Sequence, residues 1–244
     1  MATYIPSTPV GRLGHDGNPP LPPSGGGDDG SGGNGPNYGA RLRRARLGLI
    51  CAIATVGMIF ISLTSAYIVR QGLPTFDDAS KSYVRDWGEV RLPWLLLAIN
   101  TSLLLISSAT MEGARRQITR QAALAPVRSI PGISLGEEKW FPWLGITVVL
   151  GLGFLLGQWL AWGELKNGGF YVATNPNSSF VYLLTGTHAV HLAGGVIALL
   201  WAALSSLLRR PVEARRIVVD ITAWYWHFMA LLWVYVFALL GLAR

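Results

Sequence analysis

Residues 180–208 read FVYLLTGTHAVHLAGGVIALLWAALSSLL and contain no Asp, Glu, Lys or Arg. A run this long passes the roughly 18 apolar residues that mark a membrane span. In lipid the backbone must satisfy its own polar groups, so the run predicts a helix. It is longer than a bilayer requires, so tilt or overhang is expected. Four more runs of this kind lie at about 47–69, 92–111, 140–162 and 221–243. A closed barrel would show alternating segments of about 10 residues, and the chain has none. The expected fold class is therefore all-α: a polytopic membrane protein with a bundle of five transmembrane helices.

Composition agrees with the runs. Of 244 residues, 51% are hydrophobic and only 14% are charged. A soluble domain carries about 25% charged residues. The net charge of +7 does not point to nucleic acid, because the basic residues sit between apolar runs. There they report orientation. Cys51 is the only cysteine, so no internal disulfide forms. Residues 1–39 hold 11 Gly and 7 Pro by direct count and cannot bury enough surface to offset ordering entropy. They predict a disordered cytoplasmic tail over 1–40, followed by the membrane domain over 41–244.

Three hydrophilic segments share one side of the membrane if the spans alternate. They carry Arg12, Arg41, Arg43, Arg44 and Arg46, then Arg115, Arg116, Arg120, Arg128 and Lys139, then Arg209, Arg210, Arg215 and Arg216. The other side has Arg70, Lys81, Arg85, Arg91, Lys166 and Arg244. The excess of positive charge predicts a cytoplasmic N-terminus and an outer C-terminus. Trp94, Trp140, Trp143, Trp159, Trp162 and Trp224 lie near span ends and suit interfacial anchoring. Pro142 is expected in the first turn of the third span, where a missing N–H costs little.

Polar residues inside the runs are the candidate functional positions. His188 and His191 are three apart and share a helix face. His227 lies six residues into the fifth run, about 9 Å deep at helical rise. His191 lies about 25 Å from that same side. The three rings are not expected to meet at one ion, and the pair reads as polar packing rather than metal ligation. Asn100, Thr101, Ser107, Ser108, Gln158, Thr185 and Thr187 read as interhelical hydrogen-bonding groups. Gly151, Gly153, Gly157, Gly186, Gly194 and Gly195 read as sites of close helix approach. Glu112, Glu164 and Asp220 fall at span ends, so no buried carboxylate relay is evident. Nothing in the chain reads as a phosphate loop, a Cys/His metal cluster or a nucleophile–base motif, and catalytic residues are not expected.

The order of these motifs resembles subunit III of haem-copper (cytochrome c) oxidases, in its short five-helix bacterial form. The stretch Tyr182-Leu183-Leu184-Thr185-Gly186-Thr187-His188-Ala189-Val190-His191-Leu192-Ala193-Gly194-Gly195 is similar to that family's hallmark. Tyr225-Trp226-His227-Phe228, with Trp233 beyond it, resembles the family's last helix. Pro93, Asn100-Thr101 and Ser107-Ser108 resemble an earlier helix, and Ser65-Ala66-Tyr67 the end of the one before. The resemblance covers about 47–244. Two departures stand out. Val56 occupies a position where the family often has Glu, and Met229 and Ala230 follow the His-Phe of the last helix. A proton-uptake role resting on carboxylates there is left open.

The resemblance implies a non-catalytic subunit of a terminal oxidase in the bacterial plasma membrane. No cofactor is expected in this chain. Haem and copper are implied in partner subunits I and II. Subunit I is the implied direct partner, which this chain would stabilise while supporting proton uptake and holding membrane phospholipids. His188, His191 and His227 carry over as bundle-interior polar residues. Arg209, Arg210, Arg215 and Arg216 are candidates for anionic lipid headgroups. The alternatives are a subunit of a quinol oxidase or nitric oxide reductase complex, or a small transporter. A transporter would show broken helices, an inverted repeat or a buried carboxylate.

Overall fold

The computed structural model describes residues 38–77, 81–84, 87, 92–128, 142–172, 175–208 and 212–242. The expected tail falls outside the described residues, except that its last residues are helical. Five helices carry the fold: α1 (Tyr38–Gly72), α2 (Trp94–Arg128), α3 (Trp143–Asn167), α4 (Pro176–Leu207) and α5 (Val212–Leu242). All five are long and apolar enough to cross a membrane.

The helices outrun the apolar stretches that predict them. α2 continues to Arg128 rather than stopping near 111, and α5 begins at Val212 rather than 221. α1 begins at Tyr38. These extensions are rich in Ala, Arg, Gln and Glu, good helix formers that hydropathy does not see. α4 starts at Pro176, four residues before the apolar run, because Asn175 and Ser178 form a capping box. The Asn175 N–H donates to Ser178 Oγ at 3.2 Å. This satisfies an otherwise orphaned helix-start group. Pro142 stands at the N-cap of α3 rather than inside its first turn. Its carbonyl accepts from Ile146 N at 3.1 Å.

α3 ends where Gly169 takes φ +82°. Phe170 N then reaches back to Leu165 O at 3.1 Å, a closure that favours glycine at the left-handed position. Between α1 and α2 a short hairpin pairs β1 (Thr75–Asp77) with β2 (Ser82–Val84), Phe76 opposite Tyr83. Three-residue strands are below what hydropathy resolves, and the hairpin was not expected.

α2, α3, α4 and α5 form a ring in which each helix touches two neighbours. α1 packs only on α4 and α5 among the described elements. Much of its length is therefore exposed, with Met58 at 68% and Ile61 at 70%. The core sits inside the ring and at the α1 seam. Its largest fully buried side chains are Trp226, Trp233, Tyr67, Phe60 and Phe154. Gly151 on α3 and Gly195 on α4 make room for Trp226: an added Cβ would meet its ring at 2.8 and 3.3 Å. Gly157 lets α3 close on Asn100 of α2. Gly153 and Gly194 face open space, so they are not packing glycines in this fold.

Candidate functional site

Polar side chains within the bundle fall into three groups. The first joins α2, α3 and α5. Ser107 Oγ donates to Thr147 O at 3.3 Å and accepts from Trp226 Nε1 at 3.1 Å. The hydroxyls of Thr110 and Thr147 lie 2.9 Å apart. Trp233 Nε1 donates to Thr101 Oγ1 at 3.0 Å. Asn100 is buried and its Nδ2 donates to Phe154 O at 3.5 Å. These contacts place Asn100 and Thr101 as interhelical groups. In lipid such bonds contribute about 0.6 kcal/mol each on average.

The second group surrounds the histidines of α4. Phe60 of α1 presents to both rings, with centroids 6.4 Å from His188 and 6.2 Å from His191. Phe154 of α3 and Trp233 of α5 complete the cage around His188, at 5.9 and 5.0 Å. Neither nitrogen of His188 has a hydrogen-bond partner. His191 differs: its Nδ1 lies 2.7 Å from Thr187 O, and its carbonyl accepts from Tyr225 OH at 3.1 Å. Nearby, Thr185 Oγ1 accepts from Trp162 Nε1 at 3.1 Å. Gln158 is buried and its Oε1 is unpartnered. Trp162 is thus an interhelical donor, and Trp143 packs on Gly113 of α2. Their position near span ends suggested anchoring alone. Trp159 and Trp224 are exposed, as anchors would be.

The third group is a charge cluster at one end of the bundle, and His227 belongs to it. His227 Nδ1 lies 2.5 Å from Ser108 Oγ, and Nε2 lies 3.7 Å from Glu112. Glu112 also pairs with Arg115 at 3.0 Å and Arg116 at 2.9 Å. Asp220 of α5 takes Arg46 of α1 at 3.1 Å and Arg115 of α2 at 3.6 Å. The sequence reading missed this cluster. One signal was present: Glu112, Arg115 and Arg116 have the i, i+3 and i, i+4 spacings of helix ion pairs. The contact to Asp220 has no sequence signal, because it is long-range.

The structure therefore brings His188 and His191 to one aromatic cage and sets His227 against α2 in a different group. Among the described residues no three of His, Cys, Asp or Glu gather as a metal site. Arg215 and Arg216 lie on α5, whereas Arg209 and Arg210 fall outside the described residues.

The class defined by this architecture is a multi-pass helical membrane protein whose polar groups face one another between helices. The family model for cytochrome c oxidase subunit III matches residues 40–241. The chain belongs to the cytochrome c oxidase subunit III family. It is similar to the cytochrome c oxidase subunit 3 of Synechocystis sp., with 28% identity over 80% of this chain and 74% of that one. It is also similar to the probable cytochrome c oxidase subunit 3 of Mycobacterium leprae, at 29% over 46% of this chain and 54% of that one. The cytochrome c oxidase subunit 3 of Bacillus sp. PS3 is 32% identical over 43% and 51%. The match spans about half the length of the last two relatives. Five apolar helices and bacterial relatives make this a multi-pass bacterial membrane protein.

Proposed function

We propose that this chain is the non-catalytic subunit III of a haem-copper terminal oxidase in aerobic respiration. The observation that carries the reading is the family match over 40–241, which takes in all five helices. In this reading haem and copper reside in subunits I and II, where dioxygen is reduced. This chain is a preformed wall against subunit I. The interhelical hydrogen bonds of α2, α3 and α5 suit that task, since they tie Ser107 to Thr147 and Trp226, and Thr101 to Trp233, across helix seams. His188, His191 and His227 then act as packing groups rather than ligands.

The end bearing Arg46, Arg115, Arg116, Arg215 and Arg216 faces the cytoplasm in this proposal. Arg209, Arg210, Arg215 and Arg216 meet anionic headgroups there. Val56 is buried and apolar, so support for proton uptake comes from the charge at the basic end.

The test is an affinity pull-down of the tagged chain from native membranes in mild detergent. The eluate should give a reduced-minus-oxidised haem spectrum and take up oxygen. The chain expressed alone should give neither. A haem-free eluate from respiring membranes would overturn the assignment.

A further inference from the structure

Gln158 of α3 is only 2% exposed, and its Oε1 has no hydrogen-bond partner. An amide oxygen buried in this way has given up its hydration with nothing in return. Gln158 lines a small cavity of about 10 Å³ among α2, α3, α4 and α5. Leu97, Leu165 and Leu240 give the cavity apolar walls, and Thr185 of α4 adds a second polar side chain. Thr185 Oγ1 donates to Val181 O at 2.6 Å and accepts from Trp162 Nε1 at 3.1 Å. A hydroxyl oxygen has two acceptor lone pairs, so one is still open. A cavity of about 10–15 Å³ holds one water when at least two polar groups reach it. The volume admits nothing larger. An ion would lose its hydration against these walls. Water both donates and accepts, so it serves the Gln158 amide whichever end faces the cavity.

We propose that this cavity is a binding site for a single water molecule, which donates one hydrogen to Gln158 Oε1 and the other to Thr185 Oγ1. The water joins α3 to α4 near the start of α2, at the end of the bundle away from the charge cluster. Trp162, Thr185, the water and Gln158 then form one connected set of hydrogen bonds, in which each bond polarises the next. The site gives a buried glutamine a partner that the protein alone does not supply. It is independent of what the chain assembles with, because every group in it belongs to this chain.

The test is radiolytic hydroxyl-radical labelling of the full chain as purified from native membranes, read by peptide mass spectrometry. Radicals are made from water and react where they arise, so a buried side chain is oxidised only if water touches it. Leu97 and Leu165 line the cavity and are buried, as are Leu104 and Leu199, which do not line it. The first pair should be oxidised about tenfold faster than the second, as a wet site set in a close-packed interior requires. Gln158→Met keeps the length of the side chain and removes the amide, so the excess should vanish. Ala161→Val keeps the amide and fills the cavity that Ala161 lines, and the excess should vanish there too. A high-resolution cryo-EM map of the unmutated protein needs no variant to fold. It should show one density peak within hydrogen-bond distance of both Gln158 Oε1 and Thr185 Oγ1. Equal oxidation of the two leucine pairs, an excess that persists in either variant, or a map with the Gln158 amide bonded to protein and no peak beside it would overturn the proposal.

Discussion

A Cβ built on Gly157 would stand 1.9 Å from Asn100 Oδ1, whereas one built on Gly153 meets nothing within 4 Å. Both glycines lie on α3, and both carry the small-residue signature of helix approach. Only the neighbour tells them apart. Asn100 cannot retreat freely, because it is buried and bonded to Phe154 O. Gly157→Ala should therefore destabilise the chain by about 1–3 kcal/mol, the cost of forcing volume into a packed contact. Gly153→Ala should be neutral or stabilise by up to about 1 kcal/mol through helix propensity. Thermal unfolding of both variants in one detergent decides it, and equal shifts would contradict the packing argument. A second prediction concerns Thr101. Thr101→Val keeps the shape but leaves Trp233 Nε1 without its acceptor in a buried site. The expected loss is about 1 kcal/mol, within the range for hydrogen bonds between helices in membranes. Trp233→Phe in the Thr101→Val background should add less than it does alone, as a double-mutant cycle reads it. Strict additivity would mean that the pair is not coupled.

Among the described helices α1 has the weakest hold on the bundle, since of the other four it touches only α4 and α5. Its basic end is tied by Arg46 to Asp220, a pair whose side chains are 53% and 18% exposed. Such an exposed pair is worth about 0.2–1 kcal/mol and weakens with salt. Asp220→Asn should therefore speed hydrogen exchange at the start of α1 by up to about fivefold at low ionic strength, with little change in α3. The difference should shrink at high salt. An unchanged exchange rate at residues 38–47 would show that apolar packing alone seats this end. The element scale also shows where the sequence was readable. Five helices were legible because lipid demands long uninterrupted apolar runs, a signal that depends on no other part of the chain. Their ends were not legible. The polar extension of α2 past residue 111 follows helix propensity and charge pairing, and the start of α4 follows the Asn175–Ser178 cap. His188 and His191 were legible as polar residues on one face. The cage of Phe60, Phe154 and Trp233 was not, since it draws on three other helices. The charge cluster was half legible, in Glu112 with Arg115 and Arg116 but not in Asp220.

At the scale of the whole molecule, the contacts of Asp220 gather one end each of α1, α2 and α5 on the same side of the bundle. Arg41, Arg43, Arg44, Arg46, Arg115, Arg116, Arg120, Arg215 and Arg216 all belong to those three ends. The hairpin of β1 and β2 follows the opposite end of α1 and carries Lys81 at its turn. Positive charge is held back during insertion, so the crowded end should stay in the cytoplasm and the hairpin should emerge outside. This becomes a labelling experiment in intact cells. Cys51 is exposed on a lipid-length helix and is first replaced by Ser to clear the background. Lys81→Cys should then react with a membrane-impermeant maleimide added from outside. Arg216→Cys should react only after the membrane is permeabilised. The contrast should be about tenfold or more if the population has one topology, because a free energy bias of 1.4 kcal/mol already gives that ratio and several charges contribute. Reaction of Arg216→Cys in intact cells, with Lys81→Cys protected, would invert the molecule. It would put the basic end, with the His227–Glu112 cluster, on the outer face, and remove the cytoplasmic role proposed for that end.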